Sequence, residues 1–255
     1  MTYRLRDVTR SEWTKFVSLR SSRWTLAAFP VVSIALAMVI GWASGAHYQP
    51  HPAASAPPWD PTNNVLAGLV PGYLIIPILG VLTMTSEYRS GAIRSTLSAV
   101  PRRGYLFAAK AIVLAAVAFA VCEFVSFVAF FASQPLLGDA PRATIGQPGV
   151  IRALVLSGAA VALLGVFGLG LGAAIRNSGG AITAYVAAAI VVPDLLIAVP
   201  GNLWRFGPFT ILANSATAAK VQPEFLSAWT GLAVMVAYVA LACGVGVAVL
   251  CRRDA

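Results

Sequence analysis

The sequence has 255 residues, of which 58% are hydrophobic and only 11% charged, with a formal net charge of +9. Soluble domains carry ~25% charged residues, so this composition excludes a chain surrounded mainly by water. The basic surplus is placed to orient helices in a bilayer, and a nucleic-acid role is excluded by that placement.

Residues 1–23 carry six basic residues interleaved with Leu5, Val8, Trp13, Phe16, Val17 and Leu19. On a helical wheel Trp13, Val17 and Trp24 fall together with Phe16 beside them, while Arg6, Arg10 and Lys15 lie on other faces. That pattern predicts an amphipathic helix lying in the membrane interface. Six apolar stretches follow, at about 24–44, 65–86, 105–133, 150–175, 180–200 and 227–250. Each is near or above the ~20 residues a helix needs to cross ~30 Å of hydrocarbon. The expected fold is an all-α polytopic membrane protein. Residues 1–23 form its interfacial helix and 24–255 a six-helix transmembrane domain. The first apolar run exceeds the ~7–15 residues of a signal-peptide core, so it is read as a retained span.

With both termini inside, fourteen of the eighteen Lys and Arg residues lie in inner segments, and only Arg142, Arg152, Arg205 and Lys220 lie outside. This bias predicts cytoplasmic termini and contact of the basic segments with anionic lipid headgroups.

In the first outer loop, 45–64, Pro50, Pro52, Pro57, Pro58 and Pro61 exclude a regular helix. His47 and His51 have helical metal-ligand spacing, but Pro50 interrupts them and no thiol or carboxylate is near, so the loop is read as solvated. Pro71 and Pro77 predict a bent second span packed inside the bundle, with neighbours satisfying the freed backbone groups.

The segment 87–103, EYRSGAIRSTLSAVPRR, is longer than a turn requires. Ile93, Leu97 and Val100 recur at i, i+4 and i+7, which predicts a short amphipathic helix that Pro101 stops. Gly91 lets the chain change direction before it, and Arg89, Arg94, Arg102 and Arg103 surround it with positive charge. Such a helix suits a groove on another protein, or alternatively a bed of lipid headgroups.

Further along, Lys110 is expected to snorkel to the inner interface. Gly165, Gly168, Gly170 and Gly172 form a ridge on the fourth span, with Gly168 and Gly172 facing a close neighbour. Two carboxylates fall within spans, Glu123 in the third and Asp194 beside Pro193 in the fifth. Ionisable groups at that depth face the bundle interior or a watery path, so both are candidate translocation-path residues, or else neutral structural ones. The loop 201–226 is too apolar to be simply solvated and predicts one or two short interfacial helices. Cys122, Cys243 and Cys251 lack metal-ligand spacing and read as packing residues.

No nucleophile elbow, paired helical histidines or carboxylate cluster is present, and no Gly-x-x-x-x-Gly-Lys-Ser/Thr loop to hold ATP phosphates. The chain is expected to be no enzyme, with no cofactor or metal of its own, and to draw its energy from a partner or an ion gradient.

The run 87–97, EYRSGAIRSTL, closing on Pro101, Arg102 and Arg103, resembles the first cytoplasmic loop of type-2 ABC exporter permeases. Residues 11–16, SEWTKF, and 19–24, LRSSRW, resemble their opening segment, and the six-span layout extends the likeness over the whole chain. The resemblance implies the type-2 exporter fold in a bacterial plasma membrane. It also implies a second permease copy or paralogue as partner, and ABC ATPase subunits that bind ATP and Mg. By this likeness 1–23 is the connecting helix, with Glu12, Trp13, Lys15, Phe16 and Arg20 as its functional residues. The coupling helix would be seated in the ATPase through Ile93, Leu97 and Val100, with Glu87, Arg89 and Arg94 making polar bonds and Tyr88, Gly91, Pro101, Arg102 and Arg103 completing the coupling segment. The cargo is expected to be amphipathic or hydrophobic. The rival readings are an ion-coupled secondary transporter, which would want more membrane carboxylates and visible repeats, and a non-transporting scaffold or immunity subunit.

Overall fold

The computed structural model describes residues 4–18, 20–50, 58–99, 102–218 and 224–252. The described residues are helical, with no strand among them. Helix α1 spans Leu5–Ser18, and α2, Arg20–Ala46, is the first crossing. A short α3, Pro61–Leu66, leads through a 3-10 turn into α4, Gly72–Ser90. After Gly91 comes α5, Ala92–Ala99, and then the long α6, Arg103–Ser133. Helix α7 is Val150–Ile175. The fifth crossing is composite: α8, Ser178–Val186, a π-helical stretch Ala187–Val191, and α9, Val192–Leu196. A 3-10 turn and α10, Pro208–Ser215, precede the last helix α11, Ala228–Arg252.

Six segments are long and apolar enough to cross a membrane: Ser22–Ala46, Pro61–Ser90, Arg103–Leu137, Val150–Ile175, Ser178–Leu196 and Ala228–Arg252. They fall where the sequence places them, so the chain is a multi-pass helical membrane protein. Two boundaries move. The predicted first loop ends earlier than residue 64, because Asp60 accepts from the Thr62 and Asn63 amides and Pro61 occupies the first helical turn. Proline is favoured there, since that turn's amide has no helical partner to lose. The fifth crossing stops at Leu196 rather than near 200, and its π-helical stretch lies just before Pro193. Such a stretch absorbs the missing proline amide and the ring's clash with the preceding turn. The short helices expected within 201–226 are present, and Ile211 and Leu212 of α10 are buried.

Helix α7 is the hub, packed against α4, α6 and α11. Lipid tails are as apolar as leucine, so close backbone approach must hold these helices where the hydrophobic effect cannot. The glycine ridge supplies it on two sides. A Cβ at Gly168 would collide with the Pro77 carbonyl of α4, and one at Gly172 would lie 2.9 Å from the Val81 oxygen. On the other side, a Cβ at Gly170 would lie 2.7 Å from the Ala242 carbonyl carbon of α11.

Pro77 inside α4 leaves the carbonyl of Tyr73, four residues back, without an amide. The hydroxyl of Tyr185, a fully buried residue of α8, donates to that carbonyl. The fifth crossing thus satisfies the backbone group that the second one frees.

Candidate functional site

The bundle end that carries α1 also holds the C-termini of α4, α7 and α11, the start of α6, and α5. Helix α1 turns Val8, Glu12 and Phe16 inward, at i, i+4 and i+8, and exposes half of Trp13. The inward stripe therefore places a carboxylate between two apolar residues, with Glu12 only 4% exposed.

A buried carboxylate needs a cation, and Glu12 meets two. Its Oε2 accepts from Lys110 Nζ of α6 at 2.6 Å, and its Oε1 from Lys15 Nζ at 2.7 Å. Glu87, in the last turn but one of α4, completes the cluster. Its Oε1 accepts from Lys110 at 2.6 Å and from Lys15 at 3.3 Å. Lys15 also reaches Thr96 Oγ1 of α5 at 3.4 Å. Two acids and two bases alternate, so the cluster is neutral while joining α1, α4, α5 and α6. Charge-assisted bonds of this length are about twice as strong as neutral ones. Lys110 is 3% exposed, so the expectation that it snorkels to the interface is corrected: two carboxylates hold it inside. For Lys15, burial lowers the pKa, but the hydrogen bonds and charges of Glu12 and Glu87 outweigh it and raise the value above 10.5.

Gly91 adopts φ +71 and caps α4, the left-handed turn that glycine takes without strain, and α5 starts directly after it. The apolar face of α5 turns into the chain. Ile93 is 2% exposed and belongs to a core with Phe16, Met84, Leu106 and Phe107, against which Leu97 and Tyr88 pack. Placing Ile93 in a partner's groove is therefore corrected, while Leu97 is only partly covered. An eight-residue helix has one apolar stripe, and the chain's own α1–α6 core covers it at Ile93. The exposed face of α5 is polar, with Arg94 and Ser95, and Arg89 is exposed just before it. Val100 and Pro101 lie outside the described residues.

The remaining predicted residues divide. Arg102 donates to the Tyr105 hydroxyl and lies over its ring. Arg103 donates to the Leu250 carbonyl at 2.7 Å, and Arg176 to the Val249 carbonyl at 3.0 Å while lying over the Tyr88 ring. Both arginines thus serve the C-terminal carbonyls of α11, where a helix dipole favours positive charge. Arg20 opens α2. A cleft of about 490 Å³ opens beside the cluster, lined by Lys15, Glu87, Arg89, Ser95 and Thr96 among others.

The two intramembrane carboxylates are not brought together. Glu123 of α6 lies against α7, where a Cβ at Gly158 would come 2.6 Å from its Oε1. Asp194 of α9 is exposed beside the exposed Leu195, so it is not buried within this chain's own bundle. Among the described residues no three His, Cys, Asp or Glu side chains could together hold a metal ion.

Sequence reasoning assigns two members of the cluster elsewhere: Lys110 to the inner interface and Glu87 to polar bonds with a partner, whereas Glu87 Oε1 accepts from Lys110 and Lys15. The available signal was Glu12, an acid at the midpoint of the Val8–Phe16 stripe, which calls for a buried cation. The sequence matches no protein-family model and no curated protein. What the chain is, from its structure, is a six-span helical membrane protein with three helices joined by ion pairs at one end and α5 hydrogen-bonded to them.

Proposed function

We propose that this chain is the permease subunit of an ATP-driven type-2 ABC exporter in a bacterial plasma membrane, with the α1 end cytoplasmic. A separate ATPase subunit holds ATP and Mg, and a second permease copy or paralogue completes the path for an amphipathic or hydrophobic cargo. The observation that carries this reading is the ion-locked corner. A short helix that receives mechanical work must pass it to the spans without slipping, and buried ion pairs resist slipping because separating them strands a charge. Here α5 is fastened on one side by Ile93 in the core and on the other by Thr96 to Lys15. Through Glu12, Glu87 and Lys110 a push on α5 reaches the second and third crossings as well as α1.

The partner then reads the polar face: Arg89, Arg94 and the lining of the adjacent cleft, rather than an apolar stripe. Arg94 is exposed and belongs to neither the apolar core nor the charge cluster, so Arg94→Glu leaves the fold intact. Its expected effect is loss of an ATPase subunit that co-purifies with the wild-type chain in mild detergent, and loss of vanadate-sensitive transport in vesicles. ATPase binding and transport at wild-type level in Arg94→Glu would defeat the proposal.

A further inference from the structure

A second cavity lies on the lateral face of the same end, between α1 and α6. Its volume is about 580 Å³, within the ~300–1,000 Å³ of sites that hold small apolar ligands. Its floor is Ile112, Val113 and Ala116 of α6, and Arg6, Arg10 and Trp13 of α1 stand along its rim. Ile112 and Ala116 are exposed, as are Arg6, Arg10 and Trp13. The groove itself is almost wholly apolar, so Arg6 and Arg10 line it with their aliphatic stems and carry their charged ends outside it.

The charge pattern points to the occupant. Arg6 and Arg10 are one helical turn apart on α1, so their side chains are neighbours and repel each other. Neither forms an ion pair among the described residues. Asp7 lies one position after Arg6 and three before Arg10, yet it pairs with neither; its Oδ2 accepts from the Arg4 amide. Paired guanidiniums fit phosphate oxygens bidentately. Trp13 continues the same rim, and indole rings settle at headgroup depth. Ile112 is nine residues into α6 from Arg103, on the order of 14 Å along the helix, which reaches the depth of acyl chains.

We propose that this groove binds an anionic phospholipid. One acyl chain lies on Ile112, Val113 and Ala116, and the phosphate sits between Arg6 and Arg10. The lipid would cement α1 to α6 from the membrane side, opposite the Glu12–Lys110 pair that joins them within. The site needs only a chain embedded in a bilayer, so it stands or falls independently of the exporter reading.

Native mass spectrometry of the full chain from equimolar phosphatidylcholine and phosphatidylglycerol micelles tests it. Wild type should retain phosphatidylglycerol over phosphatidylcholine by roughly 10- to 30-fold, the preference two surface arginines supply. R6Q/R10Q should reduce that preference to about 2-fold or less, and R89Q/R94Q should leave it unchanged. I112W, which fills the floor and spares the arginines, should reduce retention of both lipids. An unchanged preference in R6Q/R10Q would overturn the proposal. So would an equal loss in R89Q/R94Q, which would mean diffuse charge attraction. Burial of Trp13 that tracks protein concentration rather than lipid would give the groove to a second copy, and would overturn it too.

Discussion

The two ends of the bundle are fastened by different chemistry. At the α1 end, beside the Arg103 and Arg176 bonds to α11 carbonyls, side chain meets side chain: Glu12, Lys15, Glu87 and Lys110 bond across helices far apart in sequence. At the far end the bonds run from side chains to the backbone of loops. Asp60 Oδ2 accepts from the Ala218 amide at 2.7 Å, Arg152 donates to the Thr217 carbonyl at 2.8 Å, and Trp59 donates to the Pro141 carbonyl at 2.9 Å. The first arrangement fixes helices relative to one another; the second ties connections onto helices already placed. A push applied at the α1 end moves rigid rods, whereas the far end, with its π-helical stretch and short helices, has the irregular backbone that can adjust.

If that contrast holds, the largest effect belongs to Lys110. Replacing it with methionine keeps the volume but leaves the buried Glu12 and the partly buried Glu87 with only the half-exposed Lys15 between them, at a cost of about 3–5 kcal/mol. Thermal unfolding of Lys110→Met in detergent should show this, and a change under 1 kcal/mol would break the comparison. Asp60→Ala should cost less, about 1–2 kcal/mol, from the lost helix cap. Its signature is local: faster amide exchange at 62–63 and 218, with the α1 end unaffected. Global loosening in Asp60→Ala would make the ends one cooperative unit instead of two.

The smallest effect is at Lys15, whose side chain is 41% exposed. Solvent screens its pairs, so Lys15→Met should cost at most ~1 kcal/mol. Its pH dependence has a definite sign. The folded pKa lies above the ordinary 10.5, so the contribution is complete below 10.5 and disappears as pH rises through the folded value. Unfolding scans from pH 6 to 12 should show a loss above 10.5 in wild type that is smaller in Lys15→Met. An equal loss in both would assign the alkaline transition to another group.

How much of this was legible in the sequence differs by region. The spans were, because lipid demands ~20 apolar residues wherever a helix crosses and the demand is local. Gly91 and the Gly168–Gly172 face were legible for a related reason: a left-handed turn and a close helix approach each name the one residue that fits. The direction of α5's apolar stripe was not. Periodicity shows that Ile93 and Leu97 share a face, but equally suits a partner's groove, a lipid surface or the chain's own core.

The charge cluster lies on the same divide. Glu12, Lys15 and Glu87 stood out as single residues, yet their pairing joins positions up to 98 residues apart, and Lys110 looked like an ordinary snorkelling lysine. For Asp194 the sequence shows its depth within a span but not its direction, which only the packing of α9 sets. The sequence by itself determined the all-helical class, the number of crossings and their approximate ends, because each follows from transfer of a contiguous segment into hydrocarbon. Which faces turn inward, which carboxylate meets which ammonium, and which tyrosine serves the Tyr73 carbonyl were decided only by tertiary structure, because those energies depend on distances between segments that chain order does not specify.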